Sequence, residues 1–225
     1  MKNNYYSDFR FNRLTEPKFR HILMLLYWPL FSLVFQLLEH RQGIEWIAVR
    51  SRFDGMIPFC EYFIIPYYFW FVYLVWMLVY TFFFDIPSFK KYMTFIIISY
   101  SLTCLIYVIL PTEQNLRIDL SERSNVFEDL VWQLQTSIDN NKNVCPSLHV
   151  TGSFAVLFTA WNSERYRSVF WRAVFIAITV LISASTVFLK QHSIIDIAAA
   201  VGLCFAIYPF VFRRQPRGVN YETAF

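Results

Sequence analysis

Residues 193–212 read Ser193-Ile194-Ile195-Asp196-Ile197-Ala198-Ala199-Ala200-Val201-Gly202-Leu203-Cys204-Phe205-Ala206-Ile207-Tyr208-Pro209-Phe210-Val211-Phe212. One charged side chain, Asp196, interrupts a run that is otherwise apolar, small or aromatic. About 20 such residues form a helix long enough to cross the hydrocarbon layer of a bilayer. Working outward, runs of similar character occupy 22–38, 62–84, 92–110, 148–161 and 170–189. They lack the alternation of membrane strands, and a helix pairs every backbone group within its own segment, so helices are expected rather than a barrel. The expected fold class is all-α: a polytopic membrane helix bundle of about six transmembrane helices, forming a single integral-membrane domain over 1–225.

Composition agrees. Of the 225 residues, 56% are hydrophobic and 20% aromatic, while only 16% are charged; a soluble domain carries about a quarter charged residues. The first 21 residues are polar, with Lys2, Arg10, Arg13, Lys18 and Arg20. They lead into a long apolar block without a small-residue cleavage site, so that block is expected to remain as a helix. With six spans both termini share one side, and that side holds 13 of the 20 Lys and Arg residues. Cationic loops stay cytoplasmic, which puts both termini in the cytosol and the segments 39–61 and 111–147 outside. The net charge of +4 is then a topology signal and not a nucleic-acid footprint.

Trp28, Trp46, Trp70, Trp76, Trp161 and Trp171 are expected as interfacial anchors and lipid-facing bulk. Pro29, Pro66 and Pro209 fall inside apolar blocks, where neighbouring helices accommodate kinks. Cys104 and Cys204 fall within spans and are expected to pack as small apolar groups. Cys60 and Cys145 both fall outside, which leaves a disulfide between them open; no C-x-x-C spacing points to a metal. In the longest polar stretch, Phe127, Leu130, Val131 and Leu134 recur at helical spacing. A short helix lying on the outer surface and capping the bundle is expected there, ended by Asp139-Asn140-Asn141.

Three polar signatures stand at outer span ends. Cys145-Pro146-Ser147-Leu148-His149 opens the fourth span: Ser147 suits an N-cap, which leaves the next amides free for an anion, and His149 lies in the same first turn. Ser185-Thr186-Val187-Phe188-Leu189-Lys190-Gln191-His192-Ser193-Ile194-Ile195-Asp196 joins the fifth span to the sixth. His192 and Asp196, four apart, share a helical face. The carboxylate would fix the imidazole tautomer and leave the opposite nitrogen free to attack. Lys190 offers a cation to a phosphate oxygen. Pro111-Thr112-Glu113-Gln114-Asn115-Leu116-Arg117 follows the third span, and Arg117 can grip phosphate through its planar fork. Taken singly, a capped helix, a polar turn and a solvated arginine would explain the three; their common side and order favour a joint site.

Together these motifs resemble the type-2 phosphatidate phosphatase and haloperoxidase superfamily, whose patterns are K-x-x-x-x-x-x-R-P, P-S-G-H and S-R-x-x-x-x-x-H-x-x-x-D. Pro146-Ser147-Leu148-His149 matches the second with leucine for glycine. Ser185, His192 and Asp196 match the third, with Thr186 at the arginine. Arg117 matches the arginine of the first, with Ile118 after it and Leu110 at the lysine. The Ser-Leu-His-Val and Lys-Gln-His forms are most similar to the branch of inositol phosphorylceramide and sphingomyelin synthases. The resemblance implies an integral-membrane lipid phosphatase or phosphotransferase that works through a phosphohistidine. It further implies His192 as nucleophile, Asp196 as its orienting acid and His149 as proton donor, with Arg117, Lys190, Ser147 and Ser185 around the phosphate. No cofactor or metal is called for. The expected partners are the lipid bilayer and a lipid phosphate or phospholipid. The competing reading is a non-catalytic or transport-type membrane protein of the same fold.

Overall fold

The computed structural model describes residues 5–212. A 3-10 segment, Arg20–Leu26, runs into α1 (Tyr27–Glu39). Then come α2 (Ile64–Phe84), α3 (Ile86–Ile109), α4 (Val126–Gln133), α5 (Leu148–Asn162), α6 (Val169–Phe188) and α7 (Ile194–Phe212). Strand structure among the described residues is one short parallel pair, β1 (Ile47–Ala48) with β2 (Thr112–Glu113). The molecule is an all-α bundle, and among the described residues five stretches are long and apolar enough to cross a membrane: Arg20–Glu39, Glu61–Phe84, Ile86–Ile109, Val169–Phe188 and Ile194–Phe212.

The fourth expected span, 148–161, differs from the rest. At 15 residues α5 rises only about 22 Å, short of the roughly 30 Å hydrocarbon layer. It is also the most enclosed helix, with buried residues from Val150 to Ala160, packed on α2, α3, α6 and α7. Small side chains make this packing feasible: a Cβ built on Gly152 would come within 2.6 Å of the Tyr100 hydroxyl and 3.0 Å of Trp70 Nε1. Close approach of backbones through small residues is how membrane helices pack where apolar burial gives no drive.

Local chemistry sets the helix starts. Asp85 alone separates α2 from α3, and its Oδ1 accepts from Ser88 N at 3.1 Å. This cap starts α3 six residues before the expected 92, so Lys90 and Lys91 lie inside the helix. Asn125 Oδ1 accepts from Phe127 N and Glu128 N at 2.9 and 3.0 Å to open α4. As the apolar spacing anticipated, α4 lays Val131 on Ile64, Tyr67, Leu120 and Leu189, with Phe127 and Leu130 beside them; the chain continues as a π-helical turn, Leu134–Ile138.

The bundle has two chemically distinct ends. At one, Tyr6 donates to the Phe82 carbonyl and Ser163 to the Asp85 carboxylate, gathering the N-terminal segment and the α2–α3 and α5–α6 turns. Arg213, Arg214 and Arg217, counted above toward this end, lie outside the described residues. At the other end β1 pairs with β2 in the register Ile47↔Thr112, and Glu113 bridges Lys142, so the two long polar segments are tied together over the ends of α5 and α7.

Candidate active site

His192 lies in the turn between α6 and α7. After Phe188 the chain reverses through Lys190, which adopts φ +58°, a left-handed conformation uncommon for a residue with a side chain. Gln191 N and His192 N both donate to the Thr186 carbonyl, at 2.9 and 3.0 Å. The reversal brings His192 Nδ1 to 3.1 Å from Asp196 Oδ2. Ser193 N donates to the same oxygen at 2.9 Å, and Asp196 is fully buried. With Nδ1 held, Nε2 is the free ring nitrogen.

His149 reaches the site from the first turn of α5. Its ring lies on Tyr67 and Trp70, with centroids 4.3 and 4.4 Å away, and 5.9 Å from the His192 ring. Both histidines line a cavity of about 510 Å³.

That cavity is polar at one end and apolar along its length. His149, Gln191, His192, Asn140, Lys142 and Asn143 line the polar end, with Glu39 and Asp139. From there α1 contributes Phe35, Ser32, Phe31 and Trp28, and α2 contributes Tyr67, Trp70, Phe71, Leu74, Val75 and Leu78. α1 packs on α3 rather than on α2, so the cavity separates α1 from α2. Trp28 to Glu39 is about 16 Å along a helix.

The remaining motif residues stand around this cavity without lining it. Lys190 Nζ donates to the carbonyls of Asp54 and Ile57, at 2.8 and 2.5 Å. Arg117 donates to the carbonyls of Gln135, Asp139 and Asn140, at 3.0, 3.0 and 2.8 Å. Ser185 Oγ bonds back to Ile182 O at 2.6 Å. Ser147 occupies the N-cap position of α5, but its hydroxyl makes no cap bond and is buried without a partner; its N–H donates to Asp196 O at 3.2 Å. Thr186, at the family's arginine position, is fully buried and bonds to Ser183 O at 2.8 Å.

Cys60 and Cys145 are free thiols, so the disulfide left open by the sequence is not formed. Burial, then the neighbouring Asp196 carboxylate, push the Cys145 thiol up to about 12, which keeps it neutral.

Sequence reasoning missed Asp54. Its buried carboxylate accepts from Ser51 N, Ser193 Oγ and Ile194 N, at 2.6, 2.7 and 2.9 Å. It thus caps the helix carrying Asp196 from 140 residues away, a distance no local motif can signal. Gln191, one residue before His192, was also passed over. Its Nε2 donates to Leu189 O at 3.2 Å, and its Oε1 is buried without a partner.

A family model described as the PAP2 superfamily matches residues 34–210, and the chain belongs to that superfamily. No significant match was found among curated proteins or solved structures. Membership supports phosphatase-type chemistry on phosphoric esters, here carried by membrane-spanning helices.

Proposed function

We propose that this protein is an integral-membrane lipid phosphatase or lipid phosphotransferase that works through a phosphohistidine on His192. One observation carries the reading: a histidine held by a buried aspartate faces a second histidine at the polar end of a cavity that runs on between aromatic and apolar walls. His192 Nε2 attacks phosphorus as the bond to the leaving oxygen breaks, and protonated His149 gives that oxygen its proton. Neutral His149 then takes a proton from water or a lipid hydroxyl, whose oxygen attacks phosphorus and releases His192. Asp196 orients His192 and stabilises the positive charge its ring acquires.

The groove between α1 and α2 supports a lipid as substrate, because a chain can enter it sideways from the bilayer while the phosphate reaches the histidines. Lys190 and Arg117 act from outside the cavity in this reading, through the carbonyls they bind; Ser147 and Ser185 brace the helix ends. The charge distribution supports cytosolic termini and a site on the outer face, as in a plasma-membrane enzyme. The test is turnover by purified protein on a panel of lipid phosphates and phospholipids, with products identified. Released phosphate, or a headgroup moved to a lipid alcohol, supports the reading and separates hydrolysis from transfer. If parent and His192→Ala protein are equally inert on every ester, the protein is a non-catalytic member of the fold.

A further inference from the structure

With Lys190 and Arg117 committed to main-chain carbonyls, the cavity must draw phosphate-binding groups from elsewhere. Lys142 is the one lysine or arginine lining it among the described residues. Beside it Asn143 is 3% exposed, lines the same cavity, and has an amide nitrogen buried without a hydrogen-bond partner. The orientation of that amide follows from chemistry. Arg41 Nη2 lies 3.1 Å from Asn143 Oδ1, and a guanidinium has only donors to offer, so the oxygen must face it and the NH₂ must face away. A buried donor without an acceptor is costly, which marks a place where a ligand acceptor belongs.

The backbone under both residues is pinned. Lys142 bridges Glu113, Asn143 N donates to Thr112 O at 2.6 Å, and the ammonium of Lys142 lies 4.8 Å from the Trp46 ring centroid. Asn143 has φ +53°, a conformation asparagine tolerates better than most side chains. The carboxylates on the same cavity are Glu39 and Asp139, and Tyr67 donates to Asp139 Oδ2 at 2.6 Å.

We propose that Lys142 and Asn143 hold the phosphoryl oxygens of the substrate, replacing the cations absent at Leu110 and Thr186. This rests on the phosphohistidine reading above. A preorganised donor at such a site is worth about 10²–10³ in rate.

Orthovanadate, a phosphoryl mimic, tests the assignment through protection of the purified protein from thermal unfolding, alongside kinetics on the ester found active. Asn143→Gly keeps a residue suited to positive φ while removing the amide, and Lys142→Met keeps the stem while removing the charge. Both should raise the half-protecting vanadate concentration at least tenfold and lower kcat/KM by about 10²–10³. Lys142→Arg should recover part of each loss. His192→Gln should abolish turnover yet leave much of the vanadate protection. Vanadate protection and kinetics unchanged in both Lys142→Met and Asn143→Gly would overturn the assignment while leaving the phosphohistidine reading intact. A parent protein that neither binds vanadate nor turns over an ester would overturn both.

Discussion

His192 and Asp196 meet through one nitrogen and one oxygen, so their substitutions should fail differently. His192→Ala removes the attacking atom: turnover should fall to background, and the acid-labile phosphoenzyme trapped from the parent in alkali-quenched reactions with radiolabelled substrate should be absent. Asp196→Asn keeps the shape but can present an N–H to Nδ1, which favours the wrong tautomer. Turnover should drop by about 10²–10⁴ in a protein that still folds. Substantial turnover by His192→Ala would refute the covalent route through His192, and a phosphoenzyme trapped in that variant would assign the nucleophile to another residue. Cys145 offers a control beside the same carboxylate. Its thiol is held up to about 12, so it stays protonated at pH 8; its alkylation should be slow there and accelerate as pH rises toward that value. Rapid labelling at pH 7, followed by mass spectrometry, would contradict the raised pKa of this half-buried thiol.

At the scale of elements, two contacts position the site. The 51–57 loop caps α7 through the Asp54 carboxylate and holds the Lys190 reversal through the Asp54 and Ile57 carbonyls. Asp54→Ala strands three donors, and a buried group left unsatisfied costs about 1–3 kcal/mol. A lowered melting temperature in detergent is expected, with turnover reduced as His192 and Asp196 lose their register. Unchanged melting would show the cap to be dispensable. Close packing of α5 is tested by a glycine pair. Gly152→Ala would push a methyl into Tyr100 and Trp70, and overpacking costs about 1–3 kcal/mol. At Gly202 nothing lies within 4 Å of the added carbon, so Gly202→Ala in α7 should be neutral or stabilise by about 0.5–1 kcal/mol. Equal melting temperatures for the two variants would refute the tight α5 interface.

Across the whole molecule, the asymmetry between the two ends predicts topology. With the four native cysteines replaced, a cysteine introduced at Asn140 should react with an impermeant maleimide added outside intact cells; labelling only after permeabilisation would place the site on the cytosolic side. The lipid groove makes a second prediction at this scale. Phe31→Trp or Leu74→Trp would narrow the cavity between α1 and α2 far from phosphorus. Each should raise KM for long-chain esters more than for short-chain ones, with kcat for the short-chain esters little changed. Chain-length-independent kinetics would argue that the acyl chain lies elsewhere.

Apolar run length alone determined that the chain forms membrane helices, because a bilayer leaves few ways to satisfy a backbone. The i,i+4 spacing of His192 and Asp196 and the place of His149 in the first turn of α5 were equally legible, since both are local geometry. Spacing says nothing about what a long flexible cation touches, so it could not tell that Lys190 and Arg117 bond to carbonyls. The short run at 148–161 was legible too, but not that α5 becomes the buried centre of the bundle. Asp54, Lys142 and Asn143 acquire their places only when β1 pairs with β2 and the two long polar segments close over α5 and α7. Those contacts join residues tens of positions apart, and tertiary packing alone decides which of them face the cavity.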